Sequence, residues 1–309
     1  MRKSFLFALS LIVPVGASAV EPIESEAVRS AAAFGALSRP EMKPFKARVR
    51  PASVQTQEPP VETAPGQWRR CVRPLVYIDD YREIYKDGVQ LGRSARDYAS
   101  SCNGRVAWMD SYGDVYRDGE KLGNMAREYR VAKWTGDVAW VDTTGEMYKN
   151  DRRLGFGARL FEINDLHGTV VWSDNSNELH KDDKRLGTGV RRFETAWRTG
   201  DVAWSDQSGT MYKNEDVLGH GARQFSINGF TGGVVWIDGS GTIYKGADTL
   251  GRSAQRFELV RYTGDVVWRD SYGVLYKNEI LLGRNCSEFK VEDDGRVLWR
   301  DSYGKYHIG

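Results

Sequence analysis

Hydrophobic and polar residues recur along this chain in a unit of about 32 residues, clearest in Thr199–Phe230. A short apolar run carries an aromatic residue at its centre, and an aspartate follows two positions later. The aromatic positions are Tyr77, Trp108, Trp140, Trp172, Trp204, Trp236, Trp268 and Trp299, at steps of 31 or 32 residues. A fixed period of this length predicts a repeat architecture with eight copies.

Each copy predicts four short antiparallel strands. Val202–Asp206 is apolar on both faces, so this strand is predicted to lie between two layers rather than at a surface. Asp and Gly residues then predict a tight hairpin, and Met211–Lys213 forms the second strand. A two-residue turn leads to a third strand that ends at Gly219, and the fourth strand carries Phe225 and Ile227.

A sheet of this size cannot bury both faces by itself, so neighbouring copies must stack on it. We therefore predict an all-β fold, an eight-bladed β-propeller closed by pairing of the N- and C-terminal strands. Trp68 occupies the slot of a fourth strand, and Val297–Trp299 and Lys305–His307 supply a first and a second strand. Joining them would complete one blade and remove free edges. A seven-bladed ring is the alternative.

The chain divides into three regions. Residues 1–19 read as a signal peptide, with two basic residues, an apolar run and Ala17-Ser18-Ala19. Residues 20–66 form a Pro- and Ala-rich linker, predicted to be flexible; its basic run Lys43–Arg50 could alternatively dock on an anionic surface. Residues 67–309 hold the propeller. The signal type predicts bacterial Sec-type export to the periplasm or the extracellular space, and no later stretch is apolar enough for a transmembrane helix.

Charge argues against nucleic acid as a partner. The whole chain has 44 Lys+Arg and 42 Asp+Glu, and residues 67–309 hold equal numbers of each sign. Nucleic acid needs a net basic face, which a balanced domain lacks.

The predicted export places the three cysteines in an oxidising compartment, where disulfides persist. Cys71 and Cys102 each lie six residues before the aromatic slot of neighbouring copies, which makes them a candidate disulfide. Cys286 replaces a small alanine of the repeat and is predicted to be buried.

No catalytic constellation is apparent. The four histidines are scattered, no zinc-type cluster appears, and no Ser/His/Asp set is visible. We therefore predict no enzymatic activity, no metal and no cofactor. The aspartate of every copy is interpreted as a hairpin determinant, since a residue present in every blade serves the fold. These residues are Asp79, Asp110, Asp142, Asp174, Asp206, Asp238, Asp270 and Asp301.

Binding residues are sought where the copies differ. Just before the first predicted strand, three alternate copies carry Asp137, Asp201 and Asp265, which could hold a cation or sugar hydroxyls at the mouth of the channel. The competing interpretation is that Asp simply follows a Thr-Gly turn well.

The loop that precedes this strand supplies an aromatic collar, which the repeat core does not need. Its members are Trp134, Trp197, Phe230 and Tyr262, with the cation Arg198 beside them. Aromatic residues with cations form a reasonable binding surface, although they could instead cover the core.

The G-x-V-x-W-x-D-x-x-G-x-x-Y pattern over residues 68–309 resembles secreted short-blade propellers, loosely those of the tectonin and tachylectin-like lectins. That resemblance implies carbohydrate binding, but it transfers no binding residues. Three functions remain open: a protein-interaction scaffold, a multivalent lectin, and an enzyme at the channel mouth, ranked in that order. We expect a monomer with a protein or glycan ligand.

Overall fold

The computed structural model describes residues 61–64 and 67–309, and side chains from residue 70 onward. The predicted signal peptide and all but the last part of the predicted linker lie outside the described residues. Every regular element in the described part is a β-strand, and no helix there could span a membrane.

The strands follow one another in eight repeat sheets, which we number as blades 1 to 8. A small hairpin comes first: Val61–Ala64 (β1) and Gln67–Arg69 (β2). Blade 1 has three strands: Val76–Ile78 (β3), Ile84–Lys86 (β4) and Val89–Gly92 (β5).

Six blades of four strands follow. Blade 2 contains Ala95–Ser100 (β6), Val106–Asp110 (β7), Val115–Arg117 (β8) and Glu120–Gly123 (β9). Blade 3 contains Ala126–Val131 (β10), Val138–Asp142 (β11), Glu146–Lys149 (β12) and Arg152–Phe156 (β13). Blade 4 contains Ala158–Ile163 (β14), Val170–Asp174 (β15), Leu179–Lys181 (β16) and Lys184–Gly187 (β17). Blade 5 contains Val190–Thr195 (β18), Val202–Asp206 (β19), Met211–Lys213 (β20) and Asp216–Gly219 (β21). Blade 6 contains Ala222–Ile227 (β22), Val234–Asp238 (β23), Ile243–Lys245 (β24) and Asp248–Gly251 (β25). Blade 7 contains Ala254–Leu259 (β26), Val266–Asp270 (β27), Leu275–Lys277 (β28) and Ile280–Gly283 (β29).

Blade 8 has three strands, Cys286–Val291 (β30), Val297–Asp301 (β31) and Tyr306–Ile308 (β32). All pairings are antiparallel between sequence neighbours, and the fold is an eight-bladed β-propeller, as the sequence predicts.

The grouping of strands into sheets differs from the sequence interpretation. The segment with Phe225 and Ile227 pairs with the following strand, with Phe225 opposite Trp236 and Ile227 opposite Val234. It is therefore the first strand of the next blade rather than the fourth strand of its own. The reason is the tight turn between them, in which the Gly232 N–H donates to the Asn228 carbonyl at 2.9 Å.

The predicted closure by strand pairing is not observed among the described residues. The strand that contains Trp68 pairs with β1, and β32 pairs with β31 alone. Each blade is instead built from consecutive strands, so the two three-stranded blades are the first and the last.

Neighbouring blades are held by a tryptophan that spans the space between them. Trp204 is 2% exposed, stacks on Tyr212 of its own blade with centroids 3.9 Å apart, and donates from Nε1 to the Asn214 carbonyl at 2.7 Å. Its ring also covers Gly187 of the preceding blade, where an added Cβ would overlap the ring atoms. The same glycine–tryptophan pair occurs at all seven junctions between consecutive blades: Gly92–Trp108, Gly123–Trp140, Gly155–Trp172, Gly187–Trp204, Gly219–Trp236, Gly251–Trp268 and Gly283–Trp299.

The repeated aspartates fix the hairpin between the strand that bears the tryptophan and the next one. Asp206 Oδ1 accepts the backbone N–H of Thr210 at 2.7 Å and the hydroxyl of Ser208 at 2.7 Å. Burial would raise the pKa of Asp206, but its hydrogen bonds lower that pKa overall. The aspartate is thus a determinant of the turn.

A disulfide joins Cys71 to Cys102, with Cα atoms 4.5 Å apart. It ties the segment before blade 1 to the first loop of blade 2. Cys286 is 4% exposed and free, as its slot predicts.

Candidate functional site: the aromatic loop face

The loops between the first and second strands of successive blades are hydrogen-bonded to one another. The Arg198 N–H donates to the Gly229 carbonyl at 2.9 Å, and the Asn228 side chain donates to the Val260 carbonyl at 2.8 Å. Similar bonds link earlier loops, such as that from the Trp134 N–H to the Asp165 carbonyl at 2.9 Å. Side chains on these loops therefore stand on a fixed framework that runs across blades.

Three collar aromatics from blades 5, 6 and 7 are in contact. The rings of Trp197 and Phe230 meet edge to face at 5.7 Å, and those of Phe230 and Tyr262 at 5.2 Å. Arg198 lies over the Phe230 ring at 3.8 Å, and Arg261 lies over the Tyr262 ring at 5.5 Å. We call these five residues the aromatic cluster.

The aromatic cluster is accessible at one end and supported at the other. Tyr262 is 45% exposed, whereas Trp197 and Phe230 are half-buried. Trp197 and Arg261 also line a groove of about 670 Å³, whose floor includes Phe225 and Phe257 from the first strands of blades 6 and 7. A ligand on the cluster could therefore extend into a recess beside it.

Trp134 is separated from the aromatic cluster. It lies in the loop of blade 3, and the corresponding position of blade 4 is Leu166. Within residues 70–309, no ring contact connects Trp134 to the cluster. The four collar aromatics thus form one group of three and one separate residue.

The three channel-mouth aspartates are engaged within their own blades. The side chain of Asn214 donates to Asp201 Oδ1 at 2.9 Å, and the Lys213 ammonium lies 3.0 Å from Oδ2. Burial would raise the pKa of Asp201, but hydrogen bonds from these two residues and Thr199 lower it overall.

Asp265 and Asp137 repeat this arrangement. Asn278 donates to Asp265 at 3.0 Å, which lowers the pKa of that carboxyl group, and Lys277 lies 3.7 Å away. Asn150 donates to Asp137 at 3.0 Å. These contacts show that the loops between first and second strands lie on the same face as the turns between third and fourth strands. They also occupy oxygen atoms that a cation or sugar would need.

One group of potential metal ligands was not predicted from the sequence. Donor atoms of Asp174, Glu178 and His180 lie within 4.8 Å of one another. His180, however, stacks on Trp172 at 4.2 Å in the place of the usual tyrosine, and Arg185 already donates to Glu178 at 2.8 Å. The group is part of the hairpin packing of blade 4.

Comparisons with known proteins extend only to architecture. No family model and no curated protein matches this chain. The crystal structure of the eukaryotic initiation factor is 12% identical, covering 66% of this chain and 70% of that one, with a TM-score of 0.41. The C-terminal WD40 domain of Sif2 is 11% identical over 71% of this chain and 80% of its own, with a TM-score of 0.34. The WD40 β-propeller domain of Doa1 is 14% identical over 70% and 92%, with a TM-score of 0.26.

Identities this low transfer no function. The sheets and their order define the chain as a β-propeller repeat protein by themselves.

Proposed function

We propose that this protein is an exported, non-enzymatic scaffold that binds a protein partner through the aromatic cluster. The observation that supports this most is the edge-to-face contact of Trp197, Phe230 and Tyr262 across three blades. The repeat does not require these rings, since in blade 4 Leu166 occupies the slot of Phe230 and Asp165 that of Trp197.

The chemistry of the aromatic cluster suits a protein surface. Tyrosine, tryptophan and arginine are the residues that most often dominate protein–protein binding energies. Arg198 and Arg261 lie against rings, which orders their side chains before a partner arrives. Ordered side chains lose less conformational entropy on binding, so more of the contact energy is retained.

The proposed localisation is the bacterial periplasm or the extracellular space. The proposed oligomeric state is a monomer. The Cys71–Cys102 disulfide supports this localisation, because such bonds persist in oxidising compartments. The signal-like residues 1–19 are the sequence basis for export.

The test is capture of a partner from an envelope extract by the immobilised mature protein. The double variant Phe230→Ala/Tyr262→Ala should retain the wild-type melting temperature and lose the captured protein, with an affinity loss of about thirtyfold or more. Phe156→Ala is the matched control, because this aromatic is 60% exposed and is the last residue of the fourth strand of blade 3, at the opposite blade end. Equal capture by the double variant and the wild type would refute the proposed face.

A carbohydrate ligand is the second candidate. The 45% exposed ring of Tyr262 beside a guanidinium offers the flat apolar face and the donor that a sugar requires. A glycan array separates the two ligands. Saturable binding to a discrete glycan that the same double variant abolishes would favour a lectin over a protein scaffold.

A further inference from the structure

The hairpin tips at the other end of the blades divide into two sets. Four tips carry a tyrosine that is among the most exposed large hydrophobic residues of the domain, whereas the other four carry a small hydroxyl residue. The tyrosines are Tyr81 (86% exposed), Tyr112 (80%), Tyr272 (79%) and Tyr303 (85%), in blades 1, 2, 7 and 8. The small residues are Thr144, Ser176, Ser208 and Ser240, in blades 3 to 6.

The turn does not need the tyrosine ring. In blade 7 the Tyr272 N–H donates to Asp270 Oδ1 at 2.9 Å. In blade 6 the Ser240 N–H makes the same bond to Asp238 at 2.9 Å. The backbone is therefore alike in both sets, and the exposed ring is an addition to it.

An arginine accompanies the tyrosine in the adjoining loop. In blades 2, 3 and 5 to 8 the tip is bonded to the loop that enters its blade, as in the bond from the Ser271 N–H to the Ser253 carbonyl at 2.8 Å. The entering loops of blades 2, 7 and 8 contain Arg93, Arg252 and Arg284, respectively, and those of blades 3 to 6 contain no arginine.

These arginines are available to a ligand. Arg252 and Arg284 are exposed, and among the described residues no acidic side chain forms an ion pair with either. Arg93 lies 3.2 Å from Glu83, with its side chain 78% exposed. Blade 8 adds the exposed Lys305 beside its tip.

We propose that the tyrosine tips and their arginines form a second binding surface, which recognises an acidic polysaccharide. Blades 7 and 8 are consecutive, and so are blades 1 and 2, so the four tips form two neighbouring pairs. This surface lies at the blade ends opposite the aromatic cluster and does not depend on the function proposed for that cluster.

Repetition of the unit points to this ligand class. One ring and one guanidinium occur together in the neighbouring blades 7 and 8 and again in blade 2, which suits a ligand that itself repeats. Aromatic faces pack against the C–H faces of pyranose rings, and guanidinium groups form paired hydrogen bonds with carboxylates. A polymer of sugar acids offers both groups in every unit.

Three soluble polymers test the proposal on the full mature chain: polygalacturonate, an uncharged glucan and polyglutamate. Polygalacturonate should bind at least tenfold more tightly than either of the others, and its binding should weaken as salt rises. The uncharged glucan lacks the carboxylate, and polyglutamate lacks the sugar face. Equal binding of polyglutamate would overturn the sugar assignment, and equal binding of the glucan would overturn the role of charge.

Two double variants locate the site. Tyr272→Ala/Tyr303→Ala and Arg252→Gln/Arg284→Gln should each weaken polygalacturonate binding at least tenfold with unchanged melting temperature. Phe156→Ala on the same face and Phe230→Ala/Tyr262→Ala on the other should bind it like the wild type. No binding of polygalacturonate by the wild type, or wild-type affinity in both tip variants, would overturn the proposal.

Discussion

The junctions between blades differ from the loops at the blade ends in how strictly the copies repeat the same residues. Between blades, the same tryptophan covers the same glycine at seven junctions. At the two ends, equivalent positions differ between copies, as Phe230 and Leu166 do on one face and Tyr272 and Ser240 on the other. Residues that every copy shares maintain the stack, and residues that copies do not share are free to serve recognition.

The strongest test of this division is Trp204→Ala. Truncation of a fully buried aromatic costs about 3–5 kcal/mol, because both transfer energy and packing are lost. Denaturant unfolding should show this loss. The half-buried loop residue Trp134, changed to Ala, should lose clearly less. Equal losses would mean that the loops support the fold as much as the junctions do.

A second test adds a methyl group to the junction. In Gly187→Ala the new Cβ would overlap the Trp204 ring, and overpacking of this kind costs about 1–3 kcal/mol. Gly239→Ala is the control, since the nearest atom to its added Cβ lies 4.0 Å away and its φ is not positive. Thermal unfolding of both variants should separate them. If Gly187→Ala unfolds at the same temperature as the control, the junction accommodates the added methyl group at little cost.

The sequence predicts the strands, the hairpins and the number of blades, because each depends on local pattern. It does not predict which strands share a sheet. A period has no starting point, so the segment with Phe225 fits the end of one copy as well as the start of the next, and only its pairing with Trp236 decides. The sequence also does not predict that the glycine near the end of the fourth strand packs against a tryptophan, since that tryptophan belongs to the next blade.

The candidate site is predictable to a similar degree. Trp197, Phe230 and Tyr262 stand out in the sequence because they vary beside constant Thr-Gly turns. Their mutual contact, and the separation of Trp134, depend on side-chain directions that spacing does not encode. The capture experiment tests whether this contact has the proposed role.

The smallest expected effect concerns the aspartates that connect the loop face to the blade. Because the pKa of Asp265 is lowered in the folded protein, its contribution to stability is complete above its unfolded pKa of about 3.9 and is lost as pH falls through the folded value. Asp265→Asn preserves an acceptor for Asn278 and removes only the charge facing Lys277. The variant should lose less than about 1 kcal/mol at pH 7, as partly exposed ion pairs do. Its difference from the wild type should shrink in acid. The exposed Asp248, changed to Asn, is the control. A difference that is constant from pH 7 to pH 3 would show that charge at this position does not connect the loop face to the blade.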